Sequence, residues 1–159
     1  LAFDRCNVAV VTNIGMGDHL GLSYISTVDD LAVVKRVIVQ NVAPAGYAVL
    51  NATDPQVVEL ADLCDGKVIL YAPDADNAAL VAHRAKEGRA LFVRGGEIVL
   101  VQGAAEVALL PLATLKPAKA DKPEMVMAAI GAAWALDIPV ELIGAGLRTF
   151  ESNPKKTPY

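Results

Sequence analysis

Runs of consecutive apolar residues alternate along this chain with stretches in which apolar positions recur at helical spacing. Val8 to Val11 is a continuous run of small and β-branched residues, the pattern of a strand buried on both faces. It stops abruptly at Asn13, two glycines and the pair Asp18-His19. Thr27 and Asp30 then stand at capping-box spacing, which predicts a helix to about Gln40. Its apolar stripe carries Leu31, Lys35 and Ile38, with Val28 and Val34 beside them. Ala43-Pro44-Ala45-Gly46 predicts a turn, and Tyr47 to Leu50 a strand that again ends in polar residues, Asn51, Thr53 and Asp54. Asp54-Pro55 suits a helix start, Asp as cap and Pro in the first turn, for a helix to about Cys64.

Lys67 to Tyr71 is a third strand, and Asp74 to Glu87 a helix with Leu80, Val81 and Ala85 inward and His83 on the solvated side. From Ala90 the pattern becomes strand, tight turn, strand. Gly95-Gly96 is the hairpin turn before Ile98 to Val101, and Glu106 to Leu112 adds another strand. After a Pro-, Ala- and Lys-rich connection, Asp121 can cap a helix carrying Met125, Ala128, Ala129, Ala132, Ala133 and Leu136. Ile138-Pro139 breaks it before a short helix with Ile143, Leu147 and Phe150. The fold class expected is α/β: a mostly parallel sheet flanked by helices, with an added β-hairpin region, over residues 1–151. Residues 152–159, polar and Pro-rich, have the composition of a linker toward a further domain.

Bulk properties narrow the function. With 159 residues, 54% of them hydrophobic, the chain can bury one sizeable core. Mean hydropathy is +0.41, yet no apolar run is long enough to span a bilayer, so no membrane association is expected. A net charge of −4 argues against a basic nucleic-acid surface. Cys6 and Cys64 have neither metal nor redox spacing and fit two buried thiols in a reducing, cytoplasmic compartment. The chain opens without Met and without a signal-peptide pattern, so a fragment of something longer is expected.

Polar residues delivered at a strand's carboxyl end are where open α/β sheets bind ligands. Asp18 and His19 have the donor types for a divalent cation, although Mg²⁺ prefers oxygen; a polar loop whose His does nothing is the plainer alternative. Lys35 either packs its stem and keeps its ammonium in water or, held away from water, offers a neutral amine for chemistry. Asp54 is accounted for by capping alone. There is no Gly-x-x-x-x-Gly-Lys-Ser/Thr within the chain, no third glycine after Gly15-Met16-Gly17 for a dinucleotide fingerprint, and no Ser-His-Asp set.

Several motifs in order carry the reading further: Phe3-Asp4-Arg5-Cys6, Val10-Val11-Thr12-Asn13-Ile14, Asp18-His19-Leu20-Gly21-Leu22, Asn51-Ala52-Thr53-Asp54-Pro55, Gly146-Leu147-Arg148-Thr149-Phe150 and Lys156-Thr157-Pro158. This set resembles the central domain of the Mur ligase superfamily, most closely its cyanophycin synthetase branch. The resemblance implies ATP and Mg²⁺ as cofactors and an acyl phosphate attacked by an amine. His19 matches a metal ligand of the family, with Asp18 beside it, and Lys35 matches a lysine that many members carbamylate. Asn13, Asn51 and Asp54 match strand-end motifs near the nucleotide, where support of the loops is expected more than chemistry. Met125 stands where relatives carry an Asn facing the adenine, and Gly17 where many carry an acidic residue, so nucleotide and metal contacts are expected to be altered.

By the same resemblance the phosphate loop and the first metal ligand are expected upstream of Leu1, and a third domain after Tyr159. The whole enzyme would add arginine to the β-carboxyl of an aspartate polymer, as a homo-oligomer, and this fragment alone would be inactive. Two alternatives stand beside that reading: a degenerate structural or oligomerisation module, and a Mur-type ligase acting on a peptidoglycan precursor or a folate.

Overall fold

Four of the apolar runs lie side by side as parallel strands: β1 (Cys6–Val11), β2 (Val42–Asn51), β3 (Lys67–Asp74) and β4 (Arg89–Arg94). Two antiparallel strands, β5 (Glu97–Gln102) and β6 (Ala105–Pro111), extend the sheet in the order β1-β2-β3-β4-β5-β6. The computed structural model describes residues 4–15, 26–115 and 122–149. Helices α1 (Val28–Gln40), α2 (Pro55–Glu59) and α3 (Ala78–Arg84) connect the parallel strands. Their buried residues Val39, Val57 and Leu80 pack on one face of the sheet with Ala48, Leu50, Leu70, Ala72 and Phe92. Helices α4 (Pro123–Ala135) and α5 (Val140–Thr149) cover the other face, where Met127, Ile130 and Ile143 meet Val49, Ile69, Tyr71 and Leu91. This is the mostly parallel α/β sheet with an added hairpin expected from the pattern, in three layers.

Local rules account for the boundaries. The capping box at α1 is complete: Asp30 N–H donates to Thr27 Oγ1 at 3.1 Å, and the Asp30 carboxylate accepts from Thr27 N–H at 2.9 Å. Gly95 and Gly96 take φ of 60° and 81°, as a two-residue hairpin between β4 and β5 requires. Gly131 lets α4 lie against the sheet, since a Cβ there would sit 2.6 Å from Val49 Cγ1.

The structure corrects the sequence reading in several places. β1 is an edge strand, so it is not buried on both faces; Ala9 and Val11 are buried while Val10 is 39% exposed. The expected Ala43–Gly46 turn lies inside β2, as an irregularity that sets Val42 opposite Cys6 and Tyr47 opposite Val8. On α1, Leu31 and Val39 are buried, whereas Val34 and Ile38 face solvent, because the sheet lies beneath one side of this edge helix. α3 begins only at Ala78, since β3 runs on to Asp74, and Val81 and Ala85 are exposed.

On α4 the buried residues are Val126, Met127, Ala128, Ile130, Gly131 and Ala135, whereas Met125, Ala129 and Leu136 are exposed. A helix apolar nearly all round gives no pattern from which to choose its inner face. Its N-cap is Lys122; the expected cap, Asp121, lies outside the described residues, as do Phe150 and 152–159. Cys6 and Cys64 are free thiols, half-buried, and burial pushes the Cys64 thiol up.

Candidate functional site

Each parallel strand ends in polar residues at the carboxyl edge, and the hydrogen bonds there run from one loop to the next. Asn51, at the end of β2, is only 8% exposed. Its amide nitrogen donates to Thr12 O at 2.9 Å, while its Oδ1 accepts from Thr53 N–H and Thr53 Oγ1 at 3.0 and 2.8 Å. Asp54 divides its carboxylate. Oδ1 caps α2 by accepting from Gln56 and Val57 N–H, and Oδ2 accepts from Ile14 N–H at 2.7 Å. Two side chains of β2's exit loop therefore fix the loop that leaves β1.

Asn77 repeats the device one strand on. Its amide nitrogen donates to Ala52 O at 3.0 Å, and its Oδ1 caps α3 by accepting from Leu80 N–H at 3.1 Å. The sequence reading missed Asn77, although an Asn just before helical apolar spacing is an N-cap signal. The sequence pattern instead predicts a helix start at Asp74.

Lys35 reaches the same edge from α1. Its stem lies along the buried side and its Nζ donates to Asn13 O at 2.5 Å. Asn13 Oδ1 accepts from Thr12 Oγ1 at 3.1 Å, and the Asn13 amide nitrogen makes no hydrogen bond among the described residues. Asn13, Lys35, Asn51 and Asp54 are thus brought together around one loop. Asp18 and His19 lie outside the described residues, as does Gly17.

Met125 is 61% exposed in the first turn of α4. That turn also lies toward the carboxyl edge, because the far end of α4 sits over the strands' amino ends, where Arg89 Nη1 donates to Trp134 O at 3.3 Å. Burial, with the Glu124 carboxylate as a lesser contribution, pushes the Tyr71 hydroxyl well above its usual range, and that hydroxyl is buried without a hydrogen bond among the described residues.

Among the described residues no three His, Cys, Asp or Glu side chains come together, and both Asp54 oxygens are used on backbone N–H groups. The described part does not form a metal centre by itself. It does hold the Lys35 amine at the mouth of the loop that leads to Asp18 and His19. His83, expected on the surface, is half-buried: its Nε2 lies 3.2 and 3.1 Å from Val68 O and Arg89 O, and burial lowers its pKa. It stands at the opposite end of the strands from this site.

The chain is similar to known proteins over most of its length. The Mur ligase middle domain matches residues 2–106. Cyanophycin synthetase from Synechocystis sp. (strain PCC 6803) is 38% identical over 99% of this chain and 18% of its own length. That from Geminocystis herdmanii is 36% identical over 99% and 18%. The chain therefore spans about a fifth of the length of these relatives. Among solved structures, MurF from Acinetobacter baumannii superposes with a TM-score of 0.62 at 20% identity, covering 94% of this chain and 30% of that one.

Proposed function

This chain belongs to the Mur ligase middle-domain family, and on that premise we propose that it is the central part of an ATP-dependent amide ligase of the cyanophycin synthetase type. The observation that carries the proposal is the 38% identity over 99% of the chain. In such a ligase ATP converts a carboxylate to an acyl phosphate, which an amine attacks to form the amide and release phosphate. Arginine is the amine and the β-carboxyl of an aspartate polymer the acceptor, in a cytoplasmic homo-oligomer. Residues 152–159 begin the linker to the amine-binding part.

The residues take distinct roles in this reading. Asn51 and Asp54 hold the β1 exit loop in place, and Asn13 is left to face the nucleotide. Lys35, as a neutral amine, adds to CO₂ and releases one proton, giving a carbamate. That carbamate, with Asp18 and His19, would hold Mg²⁺, whose charge neutralises the polyphosphate. Exposed Met125 lines the nucleotide's base side without a polar contact. The 159 residues contain no phosphate loop, so on their own they turn over no ATP.

The native gene product, incubated with ATP, Mg²⁺, arginine and an aspartate-rich primer, should release phosphate only when both arginine and primer are present. Folded in ¹³C-bicarbonate, it should show one carbamate ¹³C resonance that Lys35→Arg removes. Phosphate release that ignores arginine and follows a peptidoglycan precursor or a folate would reassign the substrates, and no turnover at all would leave a structural module.

A further inference from the structure

A groove of about 280 Å³ lies between α1 and the segment formed by α2 and the Leu60–Leu63 turn that follows it. Asp29, Val33 and Arg36 line one wall, and Glu59, Leu60 and Leu63 the other. Positions four and seven apart share one side of a helix, so the first wall is a single stripe of α1. The middle of the groove is apolar. Leu60 is buried in the core, while Val33 and Leu63 remain 51% and 37% exposed. The rim is charged: Asp29, Arg36 and Glu59 are all exposed, and none of the three makes a side-chain hydrogen bond or salt bridge among the described residues. By contrast Arg5, Arg84, Arg89 and Arg94 each have a carboxylate partner. Two carboxylates and one guanidinium are thus set around an apolar trough without neutralising one another.

We propose that this groove holds finished repeats of the polymer behind its growing end, an inference that rests on the reading of the chain as part of a ligase joining arginine to an aspartate polymer. Arginine acylated on its α-amine keeps both its guanidinium and its α-carboxylate. Every finished repeat therefore carries a cation and an anion joined by a methylene stem. The groove offers the complement: Asp29 and Glu59 accept from the guanidinium, the Arg36 fork donates to the carboxylate, and the stem lies on Val33, Leu60 and Leu63. Aspartate polymer without arginine brings only anions, which two of the three charged groups repel.

The groove also leads from the right place. α1 and α2 both begin at the carboxyl edge, where Thr27 and Asp54 cap them, and Lys35, next to Arg36 in the chain, reaches Asn13 O there. From Asp29 to Arg36 the first wall runs about 10 Å along the helix axis, away from that edge. A polymer whose end is held at the edge would lay its preceding repeats in the groove.

Binding of arginine-substituted aspartate polymer to the native gene product, without ATP, tests the groove. Arg36→Gln and Glu59→Gln should each weaken binding about threefold and together about tenfold, the range of exposed charge pairs. Asp62→Asn, on the same turn but outside the groove, should leave it unchanged. In the ligation assay the double variant should raise KM for long polymer, with kcat and the KM for a single-repeat primer unchanged. Equal binding by wild type and double variant, or none by wild type, overturns the proposal, and so does equal affinity for aspartate polymer without arginine. Free arginine bound with the same sensitivity to both variants would mark a monomer site and overturn it as well. Groove-dependent polymer binding by a protein that releases no phosphate would fail the ligase reading and leave the groove standing. Arginine-dependent turnover with polymer binding indifferent to the variants would fail the groove alone.

Discussion

The two ends of the parallel strands are built from similar side chains put to opposite uses. At the carboxyl end Asn51, Asp54, Asn77 and Lys35 each hold a backbone group of a neighbouring loop, and the Asn13 amide nitrogen makes no hydrogen bond among the described residues. At the amino end the polar groups close on the protein's own core. The Arg89 guanidinium lies 4.8 Å from the ring centres of both Tyr47 and Trp134, and Lys67 Nζ lies 5.5 Å from the Tyr47 ring. Arg89 Nε donates to Gln102 Oε1 at 3.0 Å, and His83 packs its ring under Gly88. In the proposed reading the first end positions loops for a ligand, whereas at the other Tyr47, Lys67, His83, Arg89 and Gln102 pack around a shallow pocket. Substitutions should therefore separate: function at the carboxyl end, stability alone at the amino end.

The largest effect is expected from Asp54→Ala, which strips acceptors from Ile14, Gln56 and Val57 at once. It should cost about 2–3 kcal/mol in denaturant unfolding and strongly reduce ligation, since the β1 exit loop keeps only its Asn51 anchor. Gly88→Ala is next. A Cβ there would sit 2.2 Å from His83 Nε2, forcing the ring off its two carbonyls, at about 1–2 kcal/mol and with specific activity unchanged below the melting temperature. Lost activity in a fully folded Gly88→Ala protein would break the division between the ends.

The smallest effect is the pH dependence of His83. Burial lowers its pKa in the folded protein from the ordinary 6.5, so the unfolded chain takes up the proton first. Its contribution to stability is complete above pH 6.5 and is lost as pH falls from there toward the folded value. Thermal melts of wild type and His83→Gln between pH 7.5 and 5 should show a shallower acid slope in the variant. Parallel slopes would remove His83 from the account.

How far the sequence revealed this molecule depended on whether local chemistry or tertiary contact fixed each feature. The capping box at Thr27, the Asp54-Pro55 helix start and the Gly95-Gly96 hairpin were legible because a few neighbouring residues determine them. So was the gathering of polar groups at the carboxyl edge, from polar residues ending two successive strands. The inward face of α4 was not, because Gly131 and the strand beneath it decide that choice and the helix's own pattern does not. His83 was misplaced for a related reason: the carbonyls that hold it belong to Val68 and Arg89, on two other strands. Asp54 looked like a cap and is one, but its second oxygen reaches Ile14, 40 residues away, which no local pattern could reveal.

The most direct measurement sets the two ends against each other in one assay. Arginine- and primer-dependent phosphate release by the native gene product should fall about 100-fold in Lys35→Ala and stay within about twofold of wild type in Lys67→Ala, each checked for folding by circular dichroism. Equal activity in both variants, or equal loss in both, would contradict the claim that the carboxyl edge alone carries the ligase chemistry.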